Sequence, residues 1–277
     1  MPPRLQDLTT YLQRLGYRSA PPPTLDSLRE LQRRHTAEFP FETLATLLRM
    51  PVPIGLASLE RKLLHEGRGG YCFELNRMFL ALLQQLGFDA RGLTGRVLMG
   101  GPEDALPART HLLVLVTIEG VRYIADVGFG GMVPTAPLRL GSDEAQATPH
   151  EFYRVQPRDG QYVLRAQVGE EWRAMYVFDL QQQVDIDFEV ANWYVSAHPE
   201  SPFLGQLFVA RTGEGLRKTF NNGSFAVHRL GQDSVRRELP DADSVIEVLG
   251  AEFGIRVPAH PQLHEAIEHL LAKSVAA

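Results

Sequence analysis

The sequence predicts an α+β protein in three segments: helical first, then rich in strands, then mixed. Three observations predict it. Apolar residues recur at helical spacing as far as Gly87. The texture then changes to short runs of β-branched and aromatic residues separated by Gly, Pro or Asp. A hairpin signal at Asn221-Asn222-Gly223 is followed by a return to helical periodicity. With 277 residues, 44% of them hydrophobic, the chain is long enough for two or three subdomains rather than one.

The elements follow in order. Leu5, Leu8, Tyr11, Leu12 and Leu15 mark a helix over 5–15, with Gly16 as its stop. Pro21-Pro22-Pro23 is a stiff connector, and Thr24 caps a second helix carrying Leu25, Leu28 and Leu31. Pro40 interrupts that pattern, and Phe41-Glu42 reads as a turn. A third helical pattern covers 57–65. A fourth begins at Cys72 and carries Phe73, Asn76, Phe79, Leu80, Leu83 and Leu86 before Gly87. These helices form a small bundle. Strands are expected at 91–98, 111–118, 121–127, 151–156, 161–168 and 171–178, in an antiparallel sheet or barrel. Ser196 to Pro202 reads as a crossing segment, 207–229 as two more strands, and 242–253 and 260–272 as helices.

Composition narrows the function classes. The formal net charge is −5 with no long basic run, so neither nucleic acid nor a membrane is an expected partner. A single cysteine excludes an intramolecular disulfide and suits a reducing cytosol. The start, Met1-Pro2-Pro3-Arg4, leads into an amphipathic pattern rather than an apolar signal core, and no run reaches membrane-spanning length. The expectation is a cytoplasmic protein.

That one cysteine lies in Arg68-Gly69-Gly70-Tyr71-Cys72-Phe73-Glu74. At the first turn of a helix it meets unpaired N–H groups and the positive end of the dipole, which favour thiolate, the nucleophilic form. Taken alone, the stretch leaves open a second reading, a small buried core residue.

A reactive cysteine needs a base. Of the nine histidines, His35 and His65 sit on helical patterns and read as surface residues; His150, His198, His228 and His260 lack an obvious partner. His264 and His269 fail as a zinc pair, because five residues of helix turn through about 500° and aim the rings at different faces. His111 differs. It opens the run 112–118, which turns at Glu119-Gly120 and returns as Val121-Arg122-Tyr123-Ile124-Ala125-Asp126. A two-residue loop pairs 118 with 121, hence 111 with 128 and 113 with 126. His111 and Asp126 then lie diagonally on one face, roughly 7–8 Å apart at the backbone, within reach of a side-chain hydrogen bond. A carboxylate on one ring nitrogen orients the other toward a thiol. Gly128-Phe129-Gly130-Gly131 lacks dinucleotide spacing but sets an exposed turn beside this pair. Phe41, Phe129 and Phe203 are candidates for an aromatic pocket.

With these residues in view, the chain resembles the bacterial arylamine N-acetyltransferases over nearly its whole length. The stretches that carry the resemblance are Arg68 to Glu74, Arg109-Thr110-His111, Asp126 to Gly131, Pro40-Phe41-Glu42 and Ser201-Pro202-Phe203. It implies a helical bundle over 1–88 bearing the nucleophile and a β-barrel over 89–195 bearing His and Asp. An interdomain segment and α/β lid over 196–277 complete the implied fold, on a cysteine-protease-like core. It implies a Cys72, His111, Asp126 triad, acetyl-CoA as donor, no metal, and aromatic amines, arylhydroxylamines or hydrazines as acceptors. Phe41, Val97, Thr110, Phe129 and Phe203 match the family's acceptor pocket, and Gly128, Gly130 and Gly131 are the expected cofactor contacts. Thr43 stands where Asn is common, and Leu75 where a polar or aromatic residue is often found. Three other readings use the same residues: an amide synthase of this family fed by a carrier-bound acyl chain, a triad hydrolase or transglutaminase-like enzyme, and a non-catalytic CoA- or arylamine-binding protein. The oligomeric state is not given by the sequence.

Overall fold

A computed structural model describes residues 4–275; Met1–Pro3, which the sequence reading has leading into an amphipathic helix, and Ala276–Ala277 lie outside the described residues. The first segment holds α1 (Leu8–Arg14), α2 (Leu25–Glu38), β1 (Phe41–Glu42), α3 (Leu44–Leu47), α4 (Leu56–Leu59) and α5 (Cys72–Gln85). α4 runs on into a π-helical stretch, Glu60–His65. Asp7 and Thr24 cap α1 and α2 by accepting from Thr10 N and Ser27 N.

Next come β2 (Asp89–Val97), β3 (Arg109–Ile118), β4 (Val121–Ala125), β5 (Leu138–Arg139), β6 (Gln146–Ala147), β7 (Phe152–Arg158), β8 (Gln161–Val168) and β9 (Glu171–Phe178). They form one antiparallel sheet in the order β5-β4-β3-β2-β9-β8-β7-β6. Its two edges approach each other, where the Gln146 amide accepts from Arg139 N at 2.7 Å and donates to Arg139 O at 3.0 Å. The result is a nearly closed eight-stranded barrel filled by Leu93, Leu113, Leu115, Ile124, Tyr153, Leu164, Tyr176 and Phe178.

β3 explains how the helices seat on this barrel. Leu113 and Leu115 point inward, while Val114 and Val116 join Tyr11, Leu28, Leu31, Phe79 and Leu82 in the core of the helical segment. Burial on both faces is why 112–116 reads as an unbroken apolar run. α5 packs across β2 and β3, and this carries Cys72 to the start of β3.

After the barrel come α6 (Asp185–Ala197), β10 (Phe208–Gly213), β11 (Leu216–Asn221), β12 (Ser224–Arg229), β13 (Val235–Glu238), α7 (Ala242–Ala251) and α8 (Leu263–Val275). A second antiparallel sheet runs β1-β10-β11-β12-β13. Phe220, Phe225, Val245, Leu249, Phe253 and Ile267 form the core between it and the last two helices. Asn222 and Gly223 make the expected two-residue turn, with Asn221 opposite Ser224.

Four expectations need correction. Phe41-Glu42 is not a turn but a short strand pairing with Ala210 and Val209. The stretch 207–229 holds three strands, because Glu214-Gly215 also turns the chain. α6 occupies residues ahead of the crossing segment where no helix was expected. His35 is fully buried, not on the surface, and its ring packs against Tyr11, Phe39 and Phe79 at centroid distances of 5.8, 4.8 and 5.2 Å. Among the described residues no helix is long and apolar enough to cross a membrane.

Candidate active site

The loop before Cys72 is fixed by packing and by buried charge. Gly70 N donates to Pro40 O at 3.2 Å, and Glu42 N donates to Gly70 O at 3.0 Å. A Cβ on Gly69 would sit 2.1 Å from Pro40 O, so close approach of two backbones, not an unusual dihedral, demands glycine there. The buried Arg68 donates to Glu42 Oε1 through Nε at 3.0 Å and Nη2 at 2.6 Å, while Glu42 Oε2 accepts from Leu44 N at 2.6 Å. Glu74 Oε2 accepts from Tyr71 N at 3.1 Å, satisfying a donor just ahead of α5, and Glu74 Oε1 accepts from Lys62 Nζ at 2.6 Å. Burial raises the Glu74 pKa, against the pull of Lys62.

Cys72 is the first residue of α5 and is almost wholly buried. Its thiol donates to Thr110 O at 3.5 Å. The β3–β4 register runs from Ile118 opposite Val121 to Val114 opposite Ala125, so continuing the count sets 113 opposite 126, as the spacing predicts. His111 Nε2 then meets Asp126 Oδ2 at 2.7 Å, and both side chains are buried. With Nε2 committed to Asp126, Nδ1 is the nitrogen left for the thiol.

Asp126 is surrounded by donors. Oδ2 also accepts from Tyr176 OH at 2.9 Å; Oδ1 accepts from Asn76 Nδ2 at 2.8 Å and from Gly128 N at 2.9 Å. Only an ionised carboxylate can accept all four. Burial opposes its charge, but His111, Asn76 and Gly128 outweigh burial and lower its pKa. Burial likewise disfavours a charged His111, yet Asp126 and the hydrogen-bonded Cys72 push it up to about 10. The site therefore holds an imidazolium beside the Cys72 sulfur at neutral pH.

Two residues anchor Asp126 from outside. Asn76, one turn along α5 from Cys72, also donates to Leu112 O at 2.6 Å and accepts from Val127 N at 2.9 Å. Gln32 of α2 donates to Asp126 O at 3.1 Å and Pro134 O at 2.7 Å, clasping both ends of the segment between them. A Cβ on Gly128 would lie 2.8 Å from Cys72 Cα, so this glycine lets the loop touch the nucleophile's backbone.

The expected aromatic residues pack beside this centre. Phe41 and Phe203 meet edge to face at 6.2 Å, and both pack on the cluster containing Cys72. Phe129 meets His111 at 5.0 Å and Tyr176 at 5.0 Å. Val97 lies opposite Tyr176 on β9 and packs on the barrel core. Gly130 lies against Phe41, and a Cβ on Gly131 would lie 3.1 Å from Thr219 Cγ2. Thr43 ties α3 to the second sheet, donating to Gln206 O at 3.1 Å and accepting from Phe208 N at 2.9 Å. Leu75 is fully buried in the helical core. Among the described residues no His, Cys, Asp and Glu side chains group to hold a metal ion.

Residues 24–262 match the model of a family described as N-acetyltransferase. Over 274 residues the chain is 40% identical to the arylamine N-acetyltransferase of Mycobacterium tuberculosis (strain ATCC 25618 / H37Rv), covering 96% of each chain. The chain belongs to the arylamine N-acetyltransferase family. It is thus an acyltransferase. A Salmonella typhimurium relative named arylamine N-acetyltransferase / N-hydroxyarylamine O-acetyltransferase is 39% identical over 251 residues, 90% of this chain and 89% of its own. The structure of Mycobacterium marinum arylamine N-acetyltransferase in complex with CoA superposes with a TM-score of 0.90 at 40% identity, covering 95% of this chain and 99% of that one.

Proposed function

We propose that this enzyme moves the acetyl group of acetyl-CoA to aromatic amines, arylhydroxylamines and hydrazines by a ping-pong route through acetyl-Cys72. The observation that carries the reading is the buried His111–Asp126 contact of 2.7 Å beside a cysteine that opens a helix. The CoA complex of the M. marinum relative supports the donor. In the first step the Cys72 thiolate attacks the thioester carbonyl. Backbone N–H groups at the start of α5 steady the developing oxyanion, and the CoA sulfur leaves with the proton held by His111. In the second step the amine attacks acetyl-Cys72, His111 takes its proton, and the Cys72 sulfur departs as thiolate. Asp126 keeps Nε2 occupied throughout, so Nδ1 does the proton work.

Phe41, Val97, Thr110, Phe129 and Phe203 form the walls we assign to the amine, and the Gly128–Gly131 turn receives the thioester end of the donor. Nucleophile from the helical segment, His and Asp from the barrel, and a covering C-terminal sheet make a cysteine-protease-like core with a lid. The test is initial-rate kinetics with acetyl-CoA and aniline varied together. Parallel double-reciprocal lines are expected, because CoA leaves before the amine reacts. Intersecting lines would show a ternary complex and remove the acetyl-enzyme route.

A further inference from the structure

The loop from Asp126 to Pro134 carries one residue of the Cys72, His111, Asp126 set and touches the other two. Asp126 holds the His111 ring, Phe129 meets that ring edge-on at 5.0 Å, and a Cβ on Gly128 would lie 2.8 Å from Cys72 Cα. The geometry of the site therefore follows the geometry of this loop.

Three observations bear on what fixes it. Its own chain is permissive: Gly128, Gly130 and Gly131 are three of its nine residues, and Gly130 takes a φ of 72°. Packing behind it is incomplete. A cavity of about 10 Å³, lined by Thr36, Phe39, Val127, Gly130 and Val133, separates it from α2, and side chains that face a gap lose contacts on that side. Hydrogen bonds do the holding instead. Asn76 and the Asp126 carboxylate secure the first residues through Val127 N and Gly128 N, at 2.9 Å each. Gln32, fully buried on the inner stripe of α2, ties the far end back to the near one. Its Nε2 donates to Asp126 O at 3.1 Å and to Pro134 O at 2.7 Å, so both hydrogens of one amide are spent on the two ends of the loop.

We infer that Gln32 is a positioning residue for acyl transfer: by joining Asp126 O to Pro134 O it closes the loop, and the closed loop sets Asp126 on His111 and Phe129 against the ring. Gln32 touches none of the reacting groups and acts through Asp126. For its effect on CoA release the inference rests on the acetyl-transfer reading; for its effect on the reactivity of Cys72 it does not. A side chain of the same length without donors cannot replace the amide, and a carboxyl has at most one O–H for two carbonyls.

The experiment compares wild type, Gln32→Met and Gln32→Glu in two assays. One is alkylation of Cys72 by iodoacetamide at pH 7, which needs no acyl donor. The other is single-turnover release of CoA from acetyl-CoA between pH 6 and pH 8.5, with circular dichroism at each pH to check the fold. Gln32→Met should lower alkylation and the maximal rate of CoA release about tenfold, the scale of a small misplacement at a reacting centre, and leave half-saturating acetyl-CoA within about twofold. Gln32→Glu donates one hydrogen when protonated and none when ionised. Its release rate relative to wild type should therefore decline as pH rises, while the same ratio for Gln32→Met stays flat. A purely structural role would lower the melting temperature and leave both rates of the folded protein at wild-type values. Wild-type alkylation and CoA release in either folded variant would overturn the inference, as would a change confined to half-saturating acetyl-CoA, which would place Gln32 with the donor. If Gln32→Met does not fold, the pH dependence of Gln32→Glu decides alone, and a flat ratio would then overturn the inference. The acetyl-transfer reading fails on a different result, wild type that is alkylated at Cys72 but releases no CoA.

Discussion

Replacing Asp126 by Asn keeps the side chain's size and removes its charge, and the consequences can be worked from its four contacts. If the new amide nitrogen replaces Oδ1, it faces the N–H groups of Asn76 and Gly128, and two donors lose their acceptor. If it replaces Oδ2, it faces His111 Nε2 and Tyr176 OH. The hydroxyl can rotate, but the imidazole must then accept at Nε2 and carry its proton at Nδ1, toward Cys72. In that tautomer it cannot take a proton from thiol or amine. The charge loss adds to this. Raising His111 from its ordinary 6.5 to about 10 corresponds to about 5 kcal/mol of preference for imidazolium, most of it owed to Asp126 against burial. Without the carboxylate, only the contact with Cys72 opposes burial, and the ring is expected to be neutral at pH 7. The expected loss in the acylation step is about 10³- to 10⁴-fold, the scale of a wrong tautomer in a catalytic triad. Stopped-flow release of CoA in a single turnover measures it, with circular dichroism to check the fold. A folded Asp126→Asn enzyme that acylates within tenfold of wild type would sink the orientation role.

Three further outcomes follow from the packing. Arg68→Met leaves the buried Glu42 with the Leu44 N–H and with Lys62, at 3.9 Å, as its counter-charge, and should cost about 3–5 kcal/mol in urea unfolding; Glu42→Gln with Arg68→Met together should recover part of that loss. Gly128→Ala drives a methyl to 2.8 Å from Cys72 Cα and from Asn76 Nδ2, so it should lower the melting temperature and slow CoA release more than tenfold. Burial lowers the His35 pKa to about 3. Between that value and 6.5 the unfolded chain takes up a proton that the fold refuses, so stability falls as pH drops. His35→Phe should flatten this slope by up to about 1.4 kcal/mol per pH unit, read as urea midpoints at pH 4.5 and pH 7. His111 acts oppositely: its raised pKa stabilises fully below 6.5, and that contribution fades as pH climbs to about 10. The lowered pKa of Asp126 gives stability that is present above 3.8 and fades as pH falls below it.

What the sequence made legible was local. Glu119-Gly120 takes positive φ at both positions, the geometry of a tight hairpin turn, and that fixed register is what brings His111 to Asp126. Gly70-Tyr71-Cys72 marks a helix start by residue type alone. What stayed hidden depends on contacts between distant residues. β1 is two residues long and exists because β10, far along the chain, pairs with it. Tyr176 and Gln32 reach Asp126 from β9 and α2, and no spacing announces either. The signal for His35 was present: Leu28, Leu31, Gln32 and His35 fall at i, i+3, i+4 and i+7, so the two polar residues occupy the buried stripe of α2. α6 escaped notice for the converse reason. It buries only Phe188, Asn192 and Val195 and exposes Ile186, Val190 and Trp193, so its apolar residues trace no single face.

The most direct test of acetyl transfer through Cys72 is the intact mass of the protein after brief exposure to acetyl-CoA without amine. A gain of one acetyl group is expected, absent in Cys72→Ala and discharged when aniline is added. An unmodified mass in folded wild type, or an acetyl group that persists after aniline, would contradict a covalent acetyl-cysteine on the path.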